Sequence, residues 1–102
     1  MAALLLCPAG LHPAVLRLIA KTVEAAKTAG KWVGVCGELG SDPQAVPILV
    51  GLGVAELSVS VPAIPTVKAQ VRSLSMDAAK KLATRALQCR TAAEVRQLSS
   101  EQ

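Results

Sequence analysis

Aromatic side chains are almost absent from this sequence. Of its 102 residues only Trp32 is aromatic, and there is neither Phe nor Tyr, yet hydrophobic residues make up 52% of the chain. A core of Ala, Val and Leu is typical of the covered layers of an α/β protein, because parallel strands are buried on both faces. The length suffices for one domain with a modest core. These features predict a piece of a larger α/β protein.

Cysteine and histidine are also scarce. Cys7, Cys36 and Cys89 lie far apart, they form no Cys-x-x-Cys pair, and His12 is the single histidine. This spacing argues against a disulfide framework and against a zinc site, and it favours a reducing compartment. Because no motif surrounds Cys7 or Cys89, we expect both to be packing or surface residues.

Long apolar runs and clustered positive charge are missing as well. No segment reaches the roughly 18 uninterrupted apolar residues of a membrane span, and MAALLLCPAG lacks the basic region of an export signal. We therefore expect a cytoplasmic protein. The formal net charge is +4, but basic and acidic residues are interleaved and stacking aromatics are lacking. Nucleic-acid binding is therefore not expected.

The apolar periodicity and the turn residues predict the element order α-β-α-β-α-α-α. The predicted elements are a helix over 12–29, a strand over 32–36, a helix over 43–52, a strand over 56–60, a helix ending near 74, a helix capped by Ser75 or Asp77, and a final helix opened by the capping-box pattern Thr91-Ala-Ala-Glu94. A strand, a crossover helix and a strand imply parallel pairing with a right-handed crossover. Two parallel strands do not make a stable sheet alone, so neighbouring copies or further sequence would have to supply the remaining strands.

The stretch WVGVCGELGSDP, residues 32–43, places Cys36 where an apolar strand gives way to a glycine-rich turn. The carboxyl end of a parallel strand is where α/β barrels and open sheets hold their chemistry. A buried, inert thiol is the ordinary interpretation of a cysteine, but the polar turn on one side favours a ligand site. Gly37 would let the backbone turn close to a ligand. For His12, at the start of the first helix, a structural role is the simpler hypothesis.

The motifs CGELGSDP and GLGVAELSVSVPAIP resemble the C-terminal part of Enzyme I of the bacterial phosphotransferase system, the phosphoenolpyruvate-protein phosphotransferase, in its multiphosphoryl transfer protein type. The resemblance covers residues 10–102 and sets residues 1–9 apart as a leader that is not family-like. It implies the C-terminal quarter of a (β/α)₈ TIM barrel, with two parallel strands, that binds phosphoenolpyruvate and Mg²⁺ and forms a homodimer. In the family, phosphoryl passes through a histidine on a separate domain to the carrier protein HPr.

The resemblance also implies roles for individual residues. Cys36 would be the proton donor to the enolate carbon as pyruvate forms, since a thiol is mostly protonated at neutral pH and can give up that proton. Gly37 and Glu38 would lie at the substrate, Gly37 through its amide, and we infer that Glu38 steadies the turn.

Other parts of the family's machinery have no match in this sequence. The context of the phosphorylated histidine, the phosphate-clamping arginines and the magnesium ligands are absent. We therefore expect the isolated chain to be inactive, because phosphoryl transfer needs positioned cations and metal. The alternatives are a non-enzymatic module that self-associates or binds a partner through open strand edges, and a self-contained thiol enzyme.

Overall fold

The computed structural model describes residues 2–5 and 11–101 of the chain. Cys7, for which a packing or surface role was predicted, lies outside the described residues. The strands are β1 (Ala2–Leu5), β2 (Val33–Cys36) and β3 (Glu56–Ser58), and the α-helices are α1 (Pro13–Thr28), α2 (Val46–Leu52), α3 (Ile64–Ser73), α4 (Met76–Leu87) and α5 (Ala92–Ser100). Short 3₁₀ turns cover Glu38–Ser41 and Val61–Ala63. None of the helices in this part of the chain is both long enough and apolar enough to cross a membrane.

The strands form one parallel sheet in the order β1-β2-β3. From residue 12 onward the element order is the predicted one, and the two predicted strands pair in parallel as expected. β1 adds a third strand that the periodicity did not predict, because four apolar residues carry no period of their own. It lies within the segment that was set apart as a leader, and the boundary between residues 9 and 10 stays a prediction.

Helix α1 begins at His12, which is its N-cap: the imidazole Nδ1 accepts a hydrogen bond of 3.1 Å from the Ala14 amide. The structural interpretation of His12 is therefore correct. The helix buries Leu16, Ile19 and Val23 against the sheet and the other helices, at the spacing expected of one helical face. Its exposed face carries the alternating charges expected of a solvated surface.

The core lies between the sheet and the helices. Val33 and Val35 of β2 are buried on the covered face of the sheet, and α2 packs against α4. Gly51 permits this close approach, because a Cβ at this position would lie only 2.6 Å from the Ala79 carbonyl carbon and 2.9 Å from the Ala83 Cβ. Helical spacing in α4 predicts an apolar stripe of Met76, Ala79, Leu82, Ala83 and Ala86. All are buried except Met76 at the start of the helix, which is 52% exposed. Met76 is the first residue of the helix.

Helix α2 starts three residues later than predicted, at Val46 instead of Pro43. The reason is a turn at Asp42, whose carboxylate accepts a hydrogen bond from the Gln44 amide (3.0 Å) while its carbonyl accepts from the Ala45 and Val46 amides. A side chain that captures a nearby amide stabilises a turn in place of a helix. Pro47 is tolerated because it lies in the first helical turn, where no intrahelical donor is needed.

The capping pattern of α5 is confirmed with one difference. Thr91 is the N-cap, and its hydroxyl accepts from the Glu94 amide at 3.1 Å. The Glu94 carboxylate accepts from the amide of Arg90, one residue before the cap, at 2.8 Å. Of the two predicted caps of α4, Ser75 is the N-cap, and Asp77 lies in the first turn.

Candidate functional site

Cys36 is the last residue of β2 and is half-buried. Side chains alternate between the faces of a strand, so Cys36 lies on the face of the sheet opposite to Val33 and Val35. In the parallel register its neighbours are Leu5 of β1 and Ser58 of β3. The thiol is therefore at the carboxyl end of the central strand, as the sequence predicted, and on the face of the sheet that the described helices leave open.

The chain turns sharply after Cys36. Gly37 has φ +96° and ψ −169°, a conformation that is essentially restricted to glycine. The following turn is held by backbone hydrogen bonds from Gly40 to Gly37 and from Asp42 to Leu39, and by the Ser41 hydroxyl, which donates to the Glu38 carbonyl at 3.2 Å. Glu38 thus takes part in the turn through its carbonyl, which accepts this hydrogen bond.

A surface depression of about 440 Å³ lies at this end of the sheet. It is lined by residues from the turn and from the end of β3: Cys36, Gly37, Glu38, Ser41, Ser58, Val59 and Ser60. The structure therefore brings the three predicted site residues, Cys36, Gly37 and Glu38, to one concave surface. Hydroxyl groups, one carboxylate and one thiol line it, a set that can bind a polar ligand and supply a proton.

Residues far away in sequence hold the turn in place, and the motif analysis missed them. The Arg96 guanidinium pairs with the Asp42 carboxylate at 3.0 Å and donates to the Gln44 side-chain oxygen at 2.8 Å. Ser99 donates to the Gln44 carbonyl at 2.7 Å, and Gln70 donates to the Pro43 carbonyl at 2.7 Å. The turn after Cys36 is thereby tied to α5 on one side and to α3 on the other. The sequence carries no local signal for these contacts, because they span 27 to 55 residues.

Two residues of β3 join Cys36 on the open face of the sheet. Glu56 and Ser58 are exposed, and the Ser58 hydroxyl donates to the Glu56 carboxylate at 3.3 Å. A Cβ built on Gly34, the register partner of Glu56, would lie 3.5 Å from the Glu56 Cβ. Partners in this register therefore share a face, and Cys36 and Ser58, two residues further along both strands, lie on that same face.

Cys89 differs from Cys36 in its surroundings. It is buried, and burial, reinforced by the nearby Glu94 carboxylate and opposed by Arg85 and Arg17, raises the pKa of its thiol above the ordinary value of 9.0. The Cys89 thiol also donates to the Arg85 carbonyl at 3.5 Å. A buried thiol with a raised pKa is poorly reactive, so Cys89 is a packing residue, one of the two roles predicted for it.

Metal ligands do not converge within the described ranges 2–5 and 11–101. No group of three or more His, Cys, Asp or Glu side chains lies close enough there to hold a metal ion. Glu38 and Glu56, the carboxylates near the depression, are therefore not part of such a group.

Residues 6–76 match the family described as PEP-utilising enzyme, PEP-binding domain. The chain is 58% identical over 89 residues to a multiphosphoryl transfer protein of Rhodobacter capsulatus. The aligned residues are 87% of this chain and 11% of that protein. It is 50% identical over 91 residues to a multiphosphoryl transfer protein of Xanthomonas campestris, covering 89% of the chain and 11% of the relative.

A third relative carries the more general name. The phosphoenolpyruvate-protein phosphotransferase of Staphylococcus carnosus is 43% identical over 90 residues, or 88% of this chain and 16% of that protein. The chain thus spans between 11% and 16% of the length of these relatives. The similarity covers the β2 turn with Cys36 as well as β3, since the family match extends to residue 76.

Proposed function

This chain belongs to the family of PEP-utilising enzymes, and we propose that it forms the part of a phosphoenolpyruvate-binding barrel that carries the proton donor, Cys36. The whole enzyme would be a phosphoenolpyruvate-protein phosphotransferase that passes phosphoryl through a histidine to HPr. The names of the relatives support this assignment. The three parallel strands would form part of the barrel wall.

The proposed step is protonation of an enolate. When the phosphoryl group leaves phosphoenolpyruvate, the O–P bond breaks and its electron pair remains on the oxygen. The organic fragment is then the enolate of pyruvate. The Cys36 thiol gives its proton to the methylene carbon of that enolate, which becomes the methyl group of pyruvate, and Cys36 is left as a thiolate. General acid catalysis of this kind contributes about 10²- to 10⁴-fold to a rate. The Gly37 amide and Glu38 would lie beside the substrate at the same depression.

The observation that carries this proposal is the position of the Cys36 sulfur. It lies half-buried at the carboxyl end of β2, in a depression that is also lined by Ser41, Ser58, Ser60 and Glu38. A thiol that served only packing would lie among aliphatic side chains, as Cys89 does at the end of α4. A ligand bound in the depression would have Cys36 on one side only. A proton donor fixed there would therefore protonate the enolate from that side.

We expect the 102-residue chain to be inactive alone. Its single histidine, His12, is committed to capping α1, and Mg²⁺ would be held by ligands from other segments of the barrel. Mixed with phosphoenolpyruvate, Mg²⁺ and HPr, the chain should leave HPr unphosphorylated, as judged by mass spectrometry. Phosphorylated HPr would contradict this expectation.

A chimeric enzyme tests the role of Cys36. The matching 89 residues of the Rhodobacter capsulatus relative are replaced by those of this chain, and pyruvate release is followed with phosphoenolpyruvate, Mg²⁺ and HPr. We expect Cys36→Ala to slow pyruvate formation by at least about 100-fold and Cys89→Ala, the matched control, to leave it within about threefold. A Cys36→Ala chimera that forms pyruvate as fast as the parent chimera would overturn the proposal.

A second candidate, a non-enzymatic module that self-associates, is favoured by one surface. A depression of about 380 Å³ between α2, β3 and α3 is lined by aliphatic side chains and Lys68, next to the outer edge of β3. Ile64 and Val71 on this surface are 45% and 39% exposed, and exposed apolar surface beside an open strand edge favours association. Light scattering over a range of concentrations measures the molar mass. A homodimer without any turnover in the chimera would favour this candidate.

A further inference from the structure

Ser58 lies beside Cys36 on the open face of the sheet. The two residues are register partners in neighbouring parallel strands, which run about 4.8 Å apart, and both line the same depression. Partners in this register share a face, as the 3.5 Å approach of the Gly34 and Glu56 Cβ positions shows. The side chains of Ser58 and Cys36 are therefore neighbours on this face, at the same depression.

Glu56 sets the direction of the Ser58 hydroxyl. In the structure the hydroxyl donates to the Glu56 carboxylate at 3.3 Å, and it uses its only proton for this bond. Toward Cys36 it then presents oxygen lone pairs, which can accept the S–H proton. When Cys36 is a thiolate, the same hydroxyl can instead donate to the sulfur, because a negative acceptor forms the stronger hydrogen bond. Ser58 thus has a partner for each protonation state of the thiol.

We propose that Ser58, oriented by Glu56, is a positioning residue for Cys36 that also returns the proton that Cys36 delivers. This inference rests on the proposed function, which leaves Cys36 as a thiolate after each turnover. The exposed Glu56 carboxylate takes a proton from solvent and passes it to the Ser58 oxygen while Ser58 passes its own proton to the Cys36 sulfur. The thiolate becomes a thiol, the carboxylic acid becomes a carboxylate, and the serine is unchanged.

Thiol reactivity in the 102-residue chain tests the coupling without any turnover. The chain is treated with iodoacetamide, quenched at intervals and digested with trypsin, which separates Cys36 (residues 32–68) from Cys89 (residues 86–90). The thiolate is the reactive species. Ser58→Ala removes a donor to the thiolate and should slow alkylation of Cys36 by at least about threefold. Glu56→Gln replaces the charged acceptor of the Ser58 proton with a weaker, neutral one, so the hydroxyl donates more readily to the sulfur and alkylation should be faster by at least about twofold.

Matched variants separate positioning from a general effect on the fold. Ser58→Thr keeps the hydroxyl and should restore the parent rate, while Ser73→Ala and Glu24→Gln, on exposed helix surfaces, should leave it unchanged. The Cys89 peptide is the internal control in every sample. Opposite shifts for Ser58→Ala and Glu56→Gln, with the same circular dichroism spectrum, support the proposal. Shifts in the same direction, or a parent rate in Ser58→Ala, overturn it.

The chimera distinguishes a failure of this inference from a failure of the proposed function. Ser58→Ala should lower kcat for pyruvate formation by about threefold or more while KM for phosphoenolpyruvate stays the same, and Ser58→Thr should recover kcat. If Cys36→Ala is inactive but Ser58→Ala turns over at the parent rate, the function stands and the role of Ser58 is wrong. If Cys36→Ala remains active, the proposed function fails whatever Ser58 does to alkylation.

Discussion

The close contact between α2 and α4 predicts a large effect from a single methyl group. Gly51 lies in α2, and a Cβ at this position would lie 2.6 Å from the carbonyl carbon of Ala79 and 2.9 Å from the Cβ of Ala83, with the Ala79 carbonyl oxygen nearer still. Carbonyl atoms inside a helix cannot rotate away as the end of a long side chain can. Gly51→Ala therefore forces the two helices apart.

The magnitude follows from two opposing effects. Overpacking of a core costs typically about 1–3 kcal/mol, and a backbone obstacle places Gly51→Ala at the upper end. The higher helix propensity of alanine offsets at most about 1 kcal/mol. The net expectation is a loss of about 2 kcal/mol in the free energy of unfolding, which corresponds to a Tm lower by roughly 8–16 °C for a domain of this size.

Urea unfolding followed by circular dichroism measures the loss directly. The matched control is Ala25→Gly on the exposed face of α1, which reports the propensity difference alone and should lose about 1 kcal/mol. If Gly51→Ala were as stable as the parent chain, or more stable, alanine would have met no obstacle. The packing of α2 against α4 described above would then be wrong.

Two further predictions concern the C-terminal helices. Burial raises the pKa of the Cys89 thiol above 9.0; Glu94 reinforces this effect, and Arg85 and Arg17 oppose it. The stability that the neutral thiol contributes is therefore fully present below pH 9.0 and is lost as pH rises through the raised pKa. The Tm should therefore fall less between neutral and alkaline pH in Cys89→Ala than in the parent chain. Equal decreases in Tm would contradict the raised pKa of Cys89. Thr91→Ala removes the N-cap of α5 and should cost about 1 kcal/mol in urea unfolding, whereas Thr91→Ser should cost little; a Thr91→Ala chain as stable as the parent would show that the cap contributes nothing.

The candidate site was largely predictable because its parts are adjacent in sequence. Cys36, Gly37 and Glu38 are consecutive, so a strand that ends at Cys36 and a glycine that turns the chain place all three at one end of the sheet. Gly37 does adopt a backbone conformation with positive φ, as expected of a glycine at this turn. The roles of these residues in catalysis remain predictions. The partners that fix the turn, Arg96 and Ser99, were not predictable, because an arginine and a serine on an amphipathic helix look the same in the sequence whether or not they meet a distant turn.

The helix starts and the apolar stripes could be predicted because they depend on residues close together in the sequence. The same local dependence explains where the prediction of buried residues fails. His12, Ser75 and Thr91 cap their helices through side chains that reach amides two or three residues away. Met76 fits the apolar period of α4 yet is exposed, because the period describes one face of a helix and not how far a neighbour extends along it.

The sequence by itself determined the α/β class, the parallel strand-helix-strand unit, and the position of a thiol at the end of a strand, since these depend on periodicity and on residues a few positions apart. The tertiary structure alone decided that β1 joins the sheet, that α4 packs onto Gly51, and that Ser58 lies beside Cys36. These pairings bring together segments separated by 20 residues or more. The choice among such partners depends on the surface buried and the hydrogen bonds formed once the chain is compact.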